Sequence, residues 1–352
     1  MPPYPIDSLG DRPSVESSSA ATESAGGPAS PGGHGPTGSR LAVVMATVLT
    51  VVQLVVVIAF AWPAARSEPH DVPIVVAGTS QMAGPVKEHL QKTEPGAFDI
   101  AVKSDEKAAR DAILDRDAYA AIVADPKGPK VLISSAASGA VAAAFTHVAG
   151  EIEKRSGKPV TLEDVRPAPK KDARGAAFAS SMLPLVLTGM IGGILVALKL
   201  PGRRERLLAA TAFAAFAGLC TTAVVHGWIG AFDGNYLAEA SIVSLIVFTI
   251  SITIAGLGTA LGHAGLGLGV ITVLLLGNPL SGVASAPEML PQPWGAFGQL
   301  LPPGAGASLL RSVTFFDGAA SAGPLITLLT WATCGLALLF FGGSRRAKAG
   351  RP

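Results

Sequence analysis

Runs of apolar residues long enough to cross a membrane constrain this chain more than any other feature. A helix needs about 20 apolar residues to span a bilayer, and residues 40–62 contain such a run almost without interruption. Four more runs lie at about 177–198, 207–229, 239–260 and 322–343. Only 15% of the 352 residues are charged, whereas soluble domains carry about a quarter. The sequence therefore predicts an α-helical polytopic membrane protein.

Residues 265–280 form a shorter, glycine-rich apolar stretch that we interpret as a sixth transmembrane helix. Its closely spaced glycines, Gly265 to Gly269, suit close helix packing or a flexible kink. Six spans place both termini in the cytoplasm, which agrees with the tendency of Lys and Arg to stay on that side. The segments assigned to the cytoplasm carry Arg40, Lys199, Arg203, Arg204, Arg206, Arg345, Arg346, Lys348 and Arg351. We therefore expect a multi-pass protein of the plasma membrane.

The segments around these spans divide the chain further. Residues 1–39 are mostly Pro, Gly, Ser and Ala, a composition that favours a disordered cytoplasmic tail. Residues 40–62 are interpreted as an uncleaved anchor rather than a signal peptide, because the apolar core is too long. Residues 177–343 hold the five-helix transmembrane domain, and residues 344–352 form a basic cytoplasmic tail.

Residues 63–176 are predicted to form one extracytoplasmic α/β domain. Strands are predicted at 72–78, 98–103, 118–125 and 130–135, and helices at about 81–92, 104–115 and 137–156. Ser104 is the expected N-cap of the second of these helices. Alternation of strands with helices is typical of a compact α/β module.

Sequence motifs of the common catalytic sites are absent. There is no P-loop, no H-E-x-x-H, no G-x-S-x-G and no G-x-G-x-x-G after a predicted strand, so we expect no enzyme activity and no cofactor. Cys220 and Cys334 lie within apolar runs, where we expect small buried residues rather than disulfide or zinc ligands. The net charge of +2 gives no reason to expect nucleic acid as a partner.

A few polar side chains within the predicted spans are candidates for function, since such groups are costly in a membrane. His226 ends the third span and Glu239 begins the fourth. They form either a polar, proton-sensitive site or, as we favour, interfacial groups that reach water. The fourth span also carries hydroxyls on one face, which suit helix contacts or a polar path; they are Ser241, Ser244 and Ser251.

Residues 278–306 contain too much proline and glycine for a helix and too little charge for an ordinary loop. Irregular backbone at membrane depth must be buried in protein or line a cavity, because lipid cannot satisfy its polar groups. The sequence therefore predicts a re-entrant or interfacial segment at the outer face.

The order "NPLSG…PEMLP…W…LLPPGAGASLLR" in this segment resembles the region before the last span of type-2 ABC-transporter permeases. The similarity is to the subgroup with a large external domain after the first span, which includes the phage-infection-protein-like membrane proteins. The one-plus-five arrangement of spans and residues 104–125 share this resemblance. The matching positions are Asn278, Pro279, Gly282, Pro287, Glu288, Pro291, Pro302 and Arg311.

The resemblance implies a permease subunit of an ABC-type exporter, paired as a homodimer or with a second permease and driven by a separate cytoplasmic ATPase. Two features depart from the family: the turn "AGTSQ" (77–81) lacks an Asn or Asp, and residues 1–39 lack an amphipathic helix. The remaining candidate for ATPase docking is a basic loop, which also suits plain positive-inside anchoring. It contains Lys199, Arg203, Arg204 and Arg206.

Two other functions stay open on the sequence alone. One is a non-transporting envelope membrane protein that displays its external α/β domain for binding or assembly. The other is a proton-coupled transporter that uses His226 and Glu239. A single anchor would suffice to display a domain, so the five further spans favour the permease.

Overall fold

The computed structural model describes residues 36–125 and 128–342. Most of the predicted tail at 1–39, and all of the tail at 344–352, lie outside the described residues. Helix α1 runs from Pro36 to Ala65, and its part up to Val51 belongs to a unit separate from the rest of the chain. Most of its large apolar side chains are exposed, as a lipid-facing helix requires.

The α/β region follows α1. Its elements are β1 (Val72–Ala77), α2 (Ser80–Thr93), β2 (Phe98–Lys103), α3 (Glu106–Leu114), β3 (Ala120–Val123), β4 (Lys130–Ile133), α4 (Gly139–Ser156) and β5 (Thr161–Asp164). Four strands and three helices match the predicted elements closely. Strand β5 is an addition, and its alternating sequence is too short to stand out from a loop.

These strands form one mixed five-stranded sheet in the order β2-β1-β3-β4-β5. Strand β1 pairs in parallel with both neighbours, while β3 and β4 pair antiparallel. Helices α2 and α4 cover one face through residues such as Ala83 and Phe145, and α3 covers the other through Ala109 and Ile113. Burial on both faces explains why β1 and β3 read as continuous apolar runs.

The N-terminus of α3 differs from the sequence expectation. Asp105, and not Ser104, is the N-cap, because its side chain accepts a hydrogen bond from the amide of Ala108. The Ser104 hydroxyl donates to the Asp105 carboxylate instead. An ionised cap also interacts favourably with the helix dipole, which explains why the carboxylate takes this position.

Long apolar helices make up the rest of the unit. They are α5 (Ala176–Lys199), α6 (Arg203–Thr222) with its π-helical continuation Ala223–Ile229, α7 (Tyr236–Leu261) and α11 (Ala322–Phe341). Together with α1, they make five helices in the described part of the chain that are long and apolar enough to cross a membrane. The chain is therefore a helical membrane protein that also carries a small mixed sheet.

The stretch predicted as a sixth span is shorter than these five. Helix α8 (His263–Val270) continues as a π-helical segment, Ile271–Gly277, so its full length is only His263–Gly277. It folds back on α7, and a Cβ added at Gly265 would lie 2.0 Å from the Leu257 carbonyl oxygen. Close helix packing, one of the two explanations for these glycines, is thus confirmed at Gly265.

Helix α7 is the centre of the bundle, because it contacts α5, α6, α8 and α11 as well as the helix that precedes α11. Its inward face carries Ile246 and Ile250, both fully buried. Cys220 and Cys334 were expected to be buried, and this was wrong: both are exposed on the outside of the bundle. In a membrane helix, lipid-facing and core-facing positions are equally apolar, so an apolar run does not distinguish them.

Candidate functional site

The irregular segment before the last span contains three short helical pieces. After a turn at 278–286 come a 3-10 turn, Pro287–Met289, then α9 (Trp294–Gln299) and α10 (Pro302–Phe315). The predicted boundary at residue 306 therefore falls inside a helix, which starts at Pro302 and continues to Phe315. Proline is favourable at the first helical position, because the amide it lacks would have no intrahelical partner there.

Part of this segment lies deep within the bundle. The indole Nε1 of Trp331, midway along α11, donates to the Leu300 carbonyl (2.8 Å) at the end of α9. A Cβ added at Gly306 would meet Ile246, ten residues into α7. Helix α10 thus begins beside the middle of the bundle, and almost all of its residues are buried.

Several of the family-like residues shape the backbone of the turn that precedes α9. The Asn278 carbonyl accepts a hydrogen bond from the Ser281 hydroxyl (2.7 Å). Gly282 has a φ of +66°, and a Cβ there would lie 2.7 Å from the Pro287 nitrogen, so the turn requires glycine. Pro279 lies within this turn, and Pro291 lies in the irregular stretch between Met289 and α9.

Arg311 is a buried cation in the last turns of α10. Its guanidinium donates to the Val283 carbonyl (2.8 Å) and lies over the ring of Phe178 at the start of α5, 4.9 Å from the centroid. Burial lowers the pKa of Arg311 to about 10, so the side chain stays charged at neutral pH. One residue therefore joins α10, the turn at Gly282 and α5.

Two further arginines join the α/β region to α10. Arg116, between α3 and β3, donates to the Ser308 carbonyl (3.0 Å) and to the Ser312 hydroxyl. Burial lowers the pKa of Arg116. Arg166, just after β5, donates from Nε to the carbonyl of Phe315. Hydrogen bonds from charged donors to buried acceptors are among the stronger ones in proteins.

Glu288 joins the irregular segment to the α/β region. Its carboxylate accepts a hydrogen bond from the Tyr119 hydroxyl (2.9 Å), and its carbonyl accepts one from the amide of His70 (2.9 Å), just before β1. Burial, followed by the nearby Glu288 charge, raises the pKa of Tyr119, so the phenol keeps its proton. We call the set Arg116, Tyr119, Arg166, Glu288 and Arg311 the junction.

The sequence identified only Glu288 and Arg311 of the junction. Arg116 and Arg166 lie in charged stretches that look like ordinary solvated loops, because a sequence does not show which loop becomes buried against another element. The structure places the α/β region and the bundle helices in one compact unit, which agrees with these contacts.

His226 and Glu239 meet at the end of the bundle where the junction also lies. Gly234, which stands between them in the sequence, contacts Thr314 near the end of α10. His226 Nδ1 lies 2.7 Å from Glu239 Oε2, and Glu239 Oε1 accepts from the amide of Gly234 (2.9 Å). The favoured expectation that both groups simply reach water is wrong for Glu239, whose carboxylate is 0% exposed. A buried carboxylate needs such partners to offset the loss of hydration.

The three serines of α7 have different surroundings. Ser241 is exposed and donates to Leu237 of its own helix (2.7 Å). Ser251 is buried and donates to the Gly189 carbonyl of α5 (2.9 Å), a contact between helices. Ser244 is half-buried beside Gly218 of α6. The structure does not gather these hydroxyls around His226, in the π-helical end of α6, and Glu239, in the first turn of α7.

The cations of the predicted basic loop lie at the ends of the two helices that it joins, Lys199 at the end of α5 and the arginines in the first turns of α6. They are of two kinds. Lys199, Arg203 and Arg204 are exposed. Arg206 instead donates to the Leu200 carbonyl (2.8 Å) and to the Thr259 hydroxyl (2.6 Å) near the end of α7. Arg206 therefore holds helices together, and the other three cations are available to a partner.

Metal ligands are not grouped in the residues that the structure describes: no set of three or more His, Cys, Asp or Glu side chains could hold an ion there. Comparisons with protein-family models, with curated proteins and with solved structures found no match to this chain. The resemblance to type-2 permeases therefore stays a prediction.

Proposed function

We propose that the chain is the permease subunit of an ABC-type exporter in the plasma membrane, energised by a separate cytoplasmic ATPase. The observation that carries the proposal is the junction. Arg116 and Arg166 fasten the α/β region to α10, whose first turn lies at the middle of the bundle. Tyr119 and Glu288 fasten it to the irregular segment, and Arg311 ties α10 to that segment and to α5. A domain held for display alone has no need of such a connection to a buried helix.

The junction offers a physical route between the two parts of the chain. Displacement of α10 within the bundle would move the α/β region with it, because Ser308, Ser312 and Phe315 are all bonded to that region. Interfaces of this kind tend to switch between discrete arrangements rather than deform gradually. Export would then couple opening of the bundle to a change in the position of the α/β region.

The proposal includes a topology with six crossings. The helical stretch His263–Gly277 makes the sixth crossing together with the segment 278–306. The irregular part of that segment re-enters from the outer face and is buried by neighbouring helices. Both termini and the loop at Arg203 are then cytoplasmic, and residues 63–176 are outside. Two copies, or one copy and a second permease, would associate within the lipid.

ATPase docking is assigned to the exposed cations of the loop between α5 and α6. The test is purification of the tagged full chain in mild detergent, with identification of the proteins that co-purify. We expect a stoichiometric P-loop ATPase that is lost when Arg203 and Arg204 are both replaced by Glu. Arg206 is left unchanged, because its contacts hold α6 to α7.

A matched control is the double charge reversal of Lys92 and Lys107 in the α/β region. These side chains are 80% and 84% exposed, so the control changes the net charge equally without touching the loop. A pure homo-oligomer with no ATPase would overturn the permease assignment and favour an envelope protein that displays its α/β region for binding or assembly.

A proton-coupled transporter is distinguished by a second measurement. Replacing His226 and Glu239 by Gln would abolish proton-driven transport but leave ATP-driven export working in proteoliposomes. Loss of export at saturating ATP, with the protein still folded, would contradict the assignment of the energy source to the ATPase.

A further inference from the structure

A cavity of about 780 Å³ lies in the α/β region between α2 and α4. Its walls are mainly apolar and include Val86 and Leu90 from α2, Val148 and Ile152 from α4, and Phe98 and Ile122 from the sheet. All of the described residues that line it fall between Pro69 and Arg155. Its volume lies within the range of about 300–1,000 Å³ that is usual for small-molecule sites.

The cavity exists because α2 packs less closely on the sheet than α4 does. Helix α2 fully buries only Ala83, whereas α4 buries larger side chains, among them Phe145. Pro85 lies inside α2, where it removes one backbone hydrogen bond and loosens the helix. Val86 and Leu90 follow on the side of α2 that lines the cavity, and both are only partly buried.

The cavity is a cleft that is open to solvent, so its apolar walls are in contact with water. An apolar ligand body in the cleft would contact these walls and remove the exposed apolar surface of α2 and α4 from water.

The mouth of the cavity carries the polar groups that would orient such a ligand. Arg155 near the end of α4 reaches across to α2, with Nη1 3.3 Å from His89 Nε2. A guanidinium can only donate, so this imidazole nitrogen is the acceptor and carries no proton. Both side chains are exposed, and the fork of Arg155 suits the oxygens of a carboxylate or phosphate.

Other titratable groups also face the mouth. His147 and Glu151 line it from α4, and Glu94 lines it from the end of α2. The Glu151 carboxylate accepts a hydrogen bond from Lys154 (3.0 Å), which offsets its charge. An anion at Arg155 would replace the weak hydrogen bond from Arg155 to His89 with a charge-assisted hydrogen bond.

We propose that this cavity binds an amphiphile with one long apolar body and one anionic head of carboxylate or phosphate oxygens, the head at Arg155. The proposal goes beyond the permease function and does not depend on an ATPase. A ligand of this kind could come from water or from the membrane surface. In both cases it has an apolar chain and an anionic head.

The test is photo-crosslinking of the full chain in phosphatidylcholine nanodiscs. The probe is a C16 fatty acid that carries a diazirine in its chain, and the modified peptides are located by mass spectrometry. The competitors are palmitate, hexadecyl phosphate and hexadecanol, which share a chain length and differ only in the head. We expect labels on peptides of α2 and α4, and displacement about tenfold stronger by the two anions than by the alcohol.

Two classes of variant separate the head from the body. Arg155→Ala should remove the advantage of the anions over hexadecanol while leaving the label in place. Val148→Trp and Val86→Trp together should obstruct the cavity from both helices and strongly reduce labelling of α2 and α4. Thr146→Trp is the matched control, since Thr146 is exposed on α4, away from the cavity, and should label like the natural protein.

Contrary results are equally specific. Labels confined to the apolar helices, with none on α2 or α4, would overturn the proposal. Equal displacement by hexadecanol and palmitate would overturn the anionic head, as would an unchanged preference in Arg155→Ala. Preference between palmitate and hexadecyl phosphate would identify the head group, and either preference supports the site.

Discussion

In the helical bundle α7 packs closely against its neighbours, whereas in the α/β region one face of the sheet is left with a cavity of about 780 Å³. The bundle achieves its packing with small residues that let backbones approach, and with polar groups that find partners inside it. The α/β region has an alanine-rich core under α3, with Ala109 and Ala112 among its members, and it leaves space between α2 and α4. Under the proposed function the bundle must therefore rearrange to open, whereas the α/β region already contains an open cavity.

Arg311 in the packed bundle and Arg155 at the mouth of the cavity allow the two regions to be compared. Arg311→Ala should give the largest loss of stability. Arg311→Ala removes a charged donor from the Val283 carbonyl, in a partly buried hydrogen bond, and a cation from the Phe178 ring. We expect a loss of about 3 kcal/mol in the free energy of unfolding, since a hydrogen bond to a charged group contributes about 1.5–3 kcal/mol and a desolvated cation–π contact up to about 2. Unfolding in a denaturing-detergent titration measures it.

Arg155→Ala is the matched control for Arg311→Ala. It removes the same side chain from an exposed position, where substitutions usually change stability by no more than about 0.5 kcal/mol. Equal losses in the two variants would contradict the contrast between a closed junction and an open cavity mouth.

Close approach within the bundle gives the second effect. Gly265→Ala would place a Cβ 2.0 Å from the Leu257 carbonyl oxygen, and overpacking of this kind costs about 1–3 kcal/mol. Gly267→Ala lies two residues further along α8, where an added Cβ meets nothing within 4 Å. That variant should be neutral or stabilising by up to about 1 kcal/mol, because alanine favours the helix. Thermal unfolding in detergent compares the pair.

The third effect tests whether the junction is a single coupled unit. Tyr119→Phe leaves the Glu288 carboxylate without its hydroxyl donor, and we expect a loss of about 1–2 kcal/mol. A double-mutant cycle with Glu288→Gln should then give a coupling energy of about 1 kcal/mol. Strict additivity of the two substitutions would mean that the α/β region and the irregular segment are held by other contacts.

The sequence predicted the secondary structure of both regions well, because the signals are local. Apolar length identified five of the spans. A short β-branched apolar run ended by Gly78 identified β1, and apolar alternation identified β2, each to within a residue. Prediction from the sequence failed for contacts between residues that are distant along the chain. Arg116 and Arg166 contact residues more than a hundred positions away, and nothing near them in the sequence indicates burial.

Packing against distant elements also explains the other differences. Glu239 was expected at a wet interface, yet the π-helical end of α6 brings His226 over it. The cavity could not be predicted either, since Val86, Leu90, Val148 and Ile152 form the same helical pattern whether they fill a core or line a space. Periodicity shows which face of a helix is apolar and leaves open what covers it.

The smallest effect concerns the edge of the sheet, where β5 is held partly by a surface ion pair. Both terminal nitrogens of Arg110 on α3, Nη1 and Nη2, donate to the Glu163 carboxylate of β5, at 2.8 and 2.9 Å. The Arg110 contact lowers the pKa of Glu163 below its ordinary value. The ionised form is therefore the one that stabilises the fold, fully so above the ordinary glutamate pKa of about 4.3.

Glu163→Gln should therefore lower stability at pH 7 by less than about 1 kcal/mol, because the pair is solvent-screened. The difference between the variant and the natural protein should shrink as the pH falls below that ordinary value, when the natural carboxyl also becomes neutral. Asp99→Asn on β2 removes one negative charge from the opposite edge of the sheet and is the control, measured by thermal unfolding at pH 7 and pH 3.5. A Glu163→Gln loss that stays constant with pH would mean that the carboxylate acts through its shape and hydrogen bonds alone. A loss of several kcal/mol would mean that β5 is held as firmly as the closely packed parts of the molecule. Within the α/β region, only the face of the sheet that holds the cavity would then differ from the junction.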